Sequence, residues 1–294
     1  MANSPSFPKT PDEYGLLKAF AHLFRLPMGI PAALAACATV YALDATTPLW
    51  KYLLTATILI CTASAACAIN DYWDVDKDRV DHPDRPLPSG RISLEQAWWA
   101  ALILFVCAVI AAIPLGMYPF ILVFVGAIVL WNYSHLLPYS GILGNLVVAT
   151  IGSALIFLGS LVADRPFAMF YPAWFLFCYA LAKEIIWDIH DTEGDRAEGI
   201  STIANRWGDR TAFGIVWALL CILLMSIPIA FRLLPMTHPI LFAVLSLTVL
   251  LTLGIALVRF QQQRSEVAYN QFIFWERIST LLGVLALLAT APPD

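Results

Sequence analysis

The sequence predicts an all-α, polytopic membrane bundle of about nine transmembrane helices, and three observations predict it. Hydrophobic residues make up 60% of the 294 positions and charged residues 13%, with a mean hydropathy of +0.75. That leaves too little polar surface to cover a water-soluble globule of this size. Apolar windows of about 20 residues, the length that crosses a bilayer, recur nine times. One acidic pattern also occurs twice: Asp71, Asp74 and Asp78 return as Asp188, Asp191 and Asp195, each 117 positions on.

Taken in order, residues 1–15 (MANSPSFPKTPDEYG) are polar and proline-bearing. They lack the charged start, short apolar stretch and cleavage site of a secretory signal and read as a soluble lead-in to a single domain, 1–294. The spans fall near 16–43, 49–70, 93–113, 117–136, 141–163, 168–189, 210–232, 237–260 and 268–290. Pro27 and Pro31 predict a kink in the first span. Two four-helix pseudo-repeats plus a ninth helix account for the recurring acids. Of the 17 lysines and arginines, only Lys51, Arg165, Arg232 and Arg277 fall outside the N-terminus and the connections after the even-numbered spans. The positive-inside rule then places the N-terminus and those connections in the cytoplasm. All six cysteines (Cys37, Cys61, Cys67, Cys107, Cys178, Cys221) lie in apolar spans without a C-x-x-C pair, so neither disulfides nor zinc is implied.

The spacing i, i+3, i+7 puts each acidic triplet on one face of a helix. Both triplets follow even-numbered spans, so two acidic helix ends face a common space on the cytoplasmic side. Up to six carboxylates gathered near a membrane call for bound cations. An all-oxygen set suits Mg²⁺, which keeps several waters and bridges carboxylates to substrate phosphates. Asp71, Asp74, Asp78, Asp188, Asp191 and Asp195 are therefore the expected metal ligands and catalytic acids. Lys77 and Arg85 beside the first triplet, and Lys183 and Arg196 beside the second, supply the anion-binding half. Arg85 lies in DRPLPSGR, whose prolines hold the backbone that carries it. Arg91 and Arg206 satisfy the positive-inside rule equally well. His190 stands between two acids, but helical spacing turns it away from their face. Arg25 reads either as a contact to acceptor or diphosphate or as a snorkelling interfacial arginine.

A magnesium diphosphate at the mouth of an apolar bundle calls for a ligand with a charged head and a greasy tail, and an isoprenyl diphosphate is both. Loss of diphosphate leaves an allylic cation, which aromatic faces stabilise. Tyr72, Trp73, Trp131, Tyr133 and Trp187 all lie near helix ends on the acidic side, where interfacial aromatics are common in any case. Asn132 and Asn145 are polar in apolar surroundings and either join helices or face substrate.

NDYWDVDKD (Asn70 to Asp78) and DIHDTEGD (Asp188 to Asp195) resemble the N-D-x-x-D-x-x-x-D and D-x-x-D-x-x-x-D motifs of the UbiA superfamily of intramembrane prenyltransferases. RPLPSGR and GDRAEGISTIANRWG extend the likeness over nearly the whole chain. The resemblance implies a nine-helix bundle with a central cavity open to lipid and Mg²⁺-dependent transfer of a prenyl group from its diphosphate to an acceptor. Asn70 and the six acids would hold the Mg²⁺–diphosphate. The motif wording is nearest to the branch that prenylates glycerol-phosphate lipids. Many members also carry a lysine shortly after a Tyr-Ser pair at the end of helix 4. Here Tyr133 and Ser134 are followed by none, and His135 replaces it only in part. The partners implied are an isoprenyl diphosphate, the bilayer and an acceptor left unidentified, with no nucleic acid. Two other readings stay open. The cation can attack its own double bonds, as in UbiA-type terpene cyclases, or the acids can mark an ion path. Against transport, both triplets lie on one side, and Glu276 and Arg277 in the last span read as a structural ion pair.

Overall fold

The computed structural model describes residues 13–136, 140–197 and 199–293, so the lead-in 1–12 lies outside the described residues. Among them there is no strand. The helices are α1 Glu13–Leu23, α2 Leu26–Leu43, α3 Leu49–Trp73, α4 Val75–Asp81, α5 Leu94–Ala112, α6 Met117–Leu136, α7 Gly141–Val162, α8 Phe170–His190, α9 Thr192–Ala197, α10 Ile203–Trp207, α11 Asp209–Leu233, α12 Pro239–Gln263 and α13 Glu266–Leu288. Every predicted span is helical. Six are long and apolar enough to cross a membrane (49–73, 94–115, 141–162, 209–233, 239–263 and 266–288), with shorter apolar helices at 29–43 and 117–133. The predicted span at α8 is less apolar because Lys183, Glu184 and Asp188 interrupt its second half.

The halves repeat each other's packing. In the first, α2 lies on α3, α3 on α5 and α5 on α6; in the second, α7 lies on α8, α8 on α11 and α11 on α12. The ninth span, α13, packs on α12 and touches α2, while α2 and α7 join the halves. Lipid tails are as apolar as leucine, so helices in a bilayer gain by approaching closely over small residues. Gly159 of α7 shows how closely. A Cβ there would stand 2.8 Å from the Ala36 carbonyl oxygen and 2.7 Å from Thr39 Cβ of α2.

Two expectations require correction. The first span is not one helix kinked at its prolines. It breaks two residues before Pro27, at Arg25, whose backbone is left-handed (φ 44°, ψ 46°). Pro27 then falls in the first turn of α2, where its missing N–H costs no helical bond, and Pro31 stays inside the helix. Nor do the acidic triplets ride straight helices. The axis turns at the middle acid in both, at Asp74 (φ −92°, ψ 10°) and at Asp191 (φ −91°, ψ 10°). The i to i−4 bonds still run through each bend: Asp74 N to Asn70 O (2.9 Å) and Asp78 N to Asp74 O (2.8 Å), matched by Asp191 N to Trp187 O and Asp195 N to Asp191 O (both 2.9 Å). The 117-residue repeat is therefore one of backbone shape as well as composition.

Candidate active site

The first motif is built around two arginines. Arg85 Nη1 donates to both oxygens of buried Asp78, at 2.7 and 2.8 Å, and lies 3.7 Å from Asp71 Oδ1. Arg25 Nη2 reaches the same Asp71 oxygen at 2.6 Å. Both carboxylates are almost fully buried, while each guanidinium keeps about a third of its side chain exposed. The arginines therefore neutralise the acids from the open side and have N–H groups left over for a further anion. Their seats are specified locally. The loop after α4 folds back through Ile92 N to Pro86 O (3.1 Å), buries Leu87, and is tied by Arg91 donating to the Asp84 carbonyl. Asp74, at the bend, has its carboxyl pushed above the ordinary value by burial and then by Asp78, against Lys77.

The second motif has different partners. Asn145 Nδ2 donates to Asp188 Oδ2 at 2.7 Å, bringing the start of α7 to the end of α8. Asp191 is exposed, with Oδ1 2.5 Å from His190 Nδ1. Lys183 pairs with Glu184 at 3.3 Å and lies over the Trp187 ring, 4.6 Å from its centroid. Tyr133, at the end of α6, is half-buried within electrostatic reach of Glu184, of Asp188 from the second motif and of Asp74 from the first. Its hydroxyl sits against Gly144, where a Cβ would come within 3.1 Å.

Beginning one turn before that tyrosine on α6, at Leu130, α3, α6 and α7 line an apolar cavity of about 490 Å³. Leu130 and Leu143 line it near the acids, Thr62 and Ile151 further in, and Ile58 and Leu158 beyond them. An apolar pocket able to take a hydrocarbon chain thus lies between helices whose ends carry Asp71, Tyr133 and Asn145. Among the described residues, no three of His, Cys, Asp and Glu converge closely enough to hold a metal alone. The donors offered are all oxygens, which fits a hard cation completed by water and phosphate and does not fit zinc.

A model of the UbiA prenyltransferase family matches residues 29–278. This chain belongs to that family. As a UbiA protein it is a prenyltransferase and an integral, multi-pass membrane protein. Over 220 residues it is 30% identical to the digeranylgeranylglyceryl phosphate synthase of Sulfolobus acidocaldarius, covering 73% of this chain and 78% of the relative. Over 208 residues it is 32% identical to the synthase of that name from Methanococcus aeolicus (69% and 72%). Among solved structures, a UbiA homologue from Archaeoglobus fulgidus bound to GPP and Mg²⁺ superposes with a TM-score of 0.73 at 17% identity, covering 92% of this chain and 99% of that one. A structure concerning digeranylgeranylglyceryl phosphate synthase gives 0.76 at 20% (94% and 98%). At such identities the structural likeness is one of fold.

Other residues singled out in the UbiA sequence are placed less centrally. Trp131 packs edge-on against Trp98 and Phe105 within the α5–α6 core, because a ring at that helix position meets α5. Trp73 and Trp187 are exposed at the rim, Trp73 edge-on to Tyr72. Arg196 lines an outer polar cavity of about 560 Å³ with Glu193 and Arg264. Arg206 is exposed beside Trp207. Asn70 is half-buried at the base of the first motif, and Lys77 is exposed on α4. The side chains of Ser134 and His135 lie outside the described ones. Glu276 and Arg277 do not pair: Glu276 is buried and accepts the Thr280 hydroxyl at 3.0 Å, while Arg277 is exposed. Glu184, Glu266 and Tyr269 were not anticipated. Glu266 is 76 positions from its partner His190, a pairing with no local signature.

Proposed function

We propose that the chain transfers a prenyl group from an isoprenyl diphosphate to a glycerol-phosphate lipid entering from the bilayer, with Mg²⁺ at the acidic mouth. The observation that carries this reading is the position of Tyr133, within electrostatic reach of an acid from each motif and on the helix that lines the apolar cavity. In this reading the acids take the head of the ligand and the cavity its tail. The relatives named digeranylgeranylglyceryl phosphate synthase support the acceptor class. The Archaeoglobus fulgidus homologue bound to GPP and Mg²⁺ supports the donor and the cation.

In this reading Asp71, Asp74 and Asp78 with Asp188, Asp191 and Asp195 hold the cation directly or through water, with Asn70 beside them. When bound, Mg²⁺ supplies Lewis-acid neutralisation of the leaving diphosphate. Arg25 and Arg85, clamped by Asp71 and Asp78, turn their remaining N–H groups to the phosphate oxygens, with Lys77, Lys183 and Arg196 adding positive field around the rim. The C1–O bond breaks with its electron pair leaving on diphosphate. Tyr133, Trp73 and Trp187 offer π-faces to the allylic carbon. The acceptor oxygen then bonds to C1 and gives up its proton to the departing diphosphate. The whole chain serves as one domain, with the N-terminus and motif loops on the cytoplasmic side, as the distribution of lysine and arginine supports.

The test uses purified protein, Mg²⁺ and radiolabelled geranylgeranyl diphosphate, with and without geranylgeranylglyceryl phosphate. The expected product is the doubly prenylated glyceryl phosphate, formed only with acceptor and Mg²⁺. A cyclic hydrocarbon appearing without acceptor would overturn the transferase reading.

A further inference from the structure

Four side chains meet where α8 ends and α13 begins. His190 lies flat on the Tyr269 ring, with centroids 3.6 Å apart and planes 11° from parallel. Its Nδ1 is 2.5 Å from Asp191 Oδ1 and its Nε2 is 2.9 Å from Glu266 Oε1. An imidazole held at both nitrogens and on one face cannot rotate, and the Asp191 carboxylate is held with it.

The far end of this chain is itself anchored. Ser265 caps α13 by accepting the Ala268 N–H at 3.3 Å. Arg264, left-handed at φ 48°, packs over Phe213 (4.6 Å) and Phe260 (5.7 Å) and pairs with Asp209 at the start of α11. Glu266 lies in the first turn of α13, where a helix favours a carboxylate. The first motif has no counterpart to this arrangement, because the position 117 residues before His190 is Trp73. A carboxylate–imidazole–carboxylate chain of this kind orients a ligating group from outside the ligand set, and breaking such a chain typically weakens metal affinity or activity 10- to 100-fold.

We propose that Glu266 and Tyr269 are positioning residues that act through His190 on Asp191 and so set the affinity of the second acidic motif for its divalent cation. The proposal rests on the reading above, in which Asp191 serves that cation. It makes α13 a part of the site without touching substrate.

The experiment titrates Mn²⁺, followed by electron paramagnetic resonance, into the purified full chain holding the inert analogue geranylgeranyl S-thiolodiphosphate. Glu266→Ala is expected to weaken Mn²⁺ binding about tenfold. Glu266→Gln, whose amide oxygen still accepts from Nε2, stays close to the parent. Tyr269→Phe keeps the stacked ring and stays close as well, whereas Tyr269→Ala follows Glu266→Ala. In turnover, Glu266→Ala raises the Mg²⁺ concentration for half-activation by the same factor, with little change in kcat at saturation. Unchanged Mn²⁺ binding in Glu266→Ala, or equal losses in Glu266→Ala and Glu266→Gln, overturns the positioning role. Failure of the parent protein to bind Mn²⁺ with the analogue overturns instead the reading on which it rests.

Discussion

Arg85 donates to both oxygens of Asp78 and approaches Asp71, whose closer partner is Arg25, so buried Asp78 depends on one partly exposed guanidinium. Arg85→Ala leaves Asp78 buried without its partner. With Arg85 about a third exposed, the loss is expected to be about 2 kcal/mol, below the range for fully buried pairs. Prenyl transfer should fall at least ~100-fold. Unfolding in mild detergent and initial rates measure the two effects separately. Asp74 behaves oppositely. Its carboxyl is raised by burial and by Asp78, so the folded state resists its ionisation. That penalty is absent below the unfolded-state pKa and fully present above the folded-state value, so the stability of ligand-free protein falls as pH rises through that interval. Asp74→Asn should flatten this part of the pH profile and raise Tm at pH 7 by a few degrees while abolishing turnover. A Tm at pH 7 no higher than that of the parent would refute the assignment. The acids were legible in the sequence because ionised carboxylates are costly in so apolar a chain, and a set repeated at fixed spacing marks a place where cations gather. Their partners were less so: Arg25 meets Asp71 across 46 positions and Asn145 meets Asp188 across 43, distances at which only tertiary packing decides.

Helices in this molecule are positioned by small residues and by bends. At Gly159, α7 approaches α2 so closely that an added methyl collides with backbone as well as with Thr39. Gly159→Ala should therefore cost about 1–3 kcal/mol, read as an earlier midpoint in detergent-induced unfolding. It should lower activity mainly through folded fraction, since α2 also carries the start of the Arg25 clamp. The spans themselves were readable from hydropathy, window by window. The bend at each central acid was not, because i, i+3, i+7 spacing is the same on a straight helix and on one whose last turn is tilted. The break at Arg25 escaped for another reason: prolines announce kinks, whereas a left-handed arginine held by a distant aspartate leaves no mark in local sequence.

At the scale of the whole bundle, ligand and fold should be coupled, since the site draws on α2, α3, α4, α6, α7 and α8 together. Mg²⁺ plus geranylgeranyl S-thiolodiphosphate should stabilise the protein by about 2.7 kcal/mol at a hundredfold excess over Kd. Mg²⁺ alone should do much less, and EDTA should reverse the effect; thermal unfolding with each component omitted checks this. The nine-span plan was legible from the apolar windows and its duplication from the 117-residue offset, and the matching order of neighbours in the two halves agrees with both. What the offset concealed is that the copies keep different company. Guanidinium groups attend Asp71 and Asp78, while an amide and an imidazole attend Asp188 and Asp191. Two identical berths would let an anion dock either way round. Unequal ones remove that degeneracy, so a headgroup has a single heading, the chain trailing from it a single route inward, and a scaffold of near-symmetric plan becomes a vectorial device.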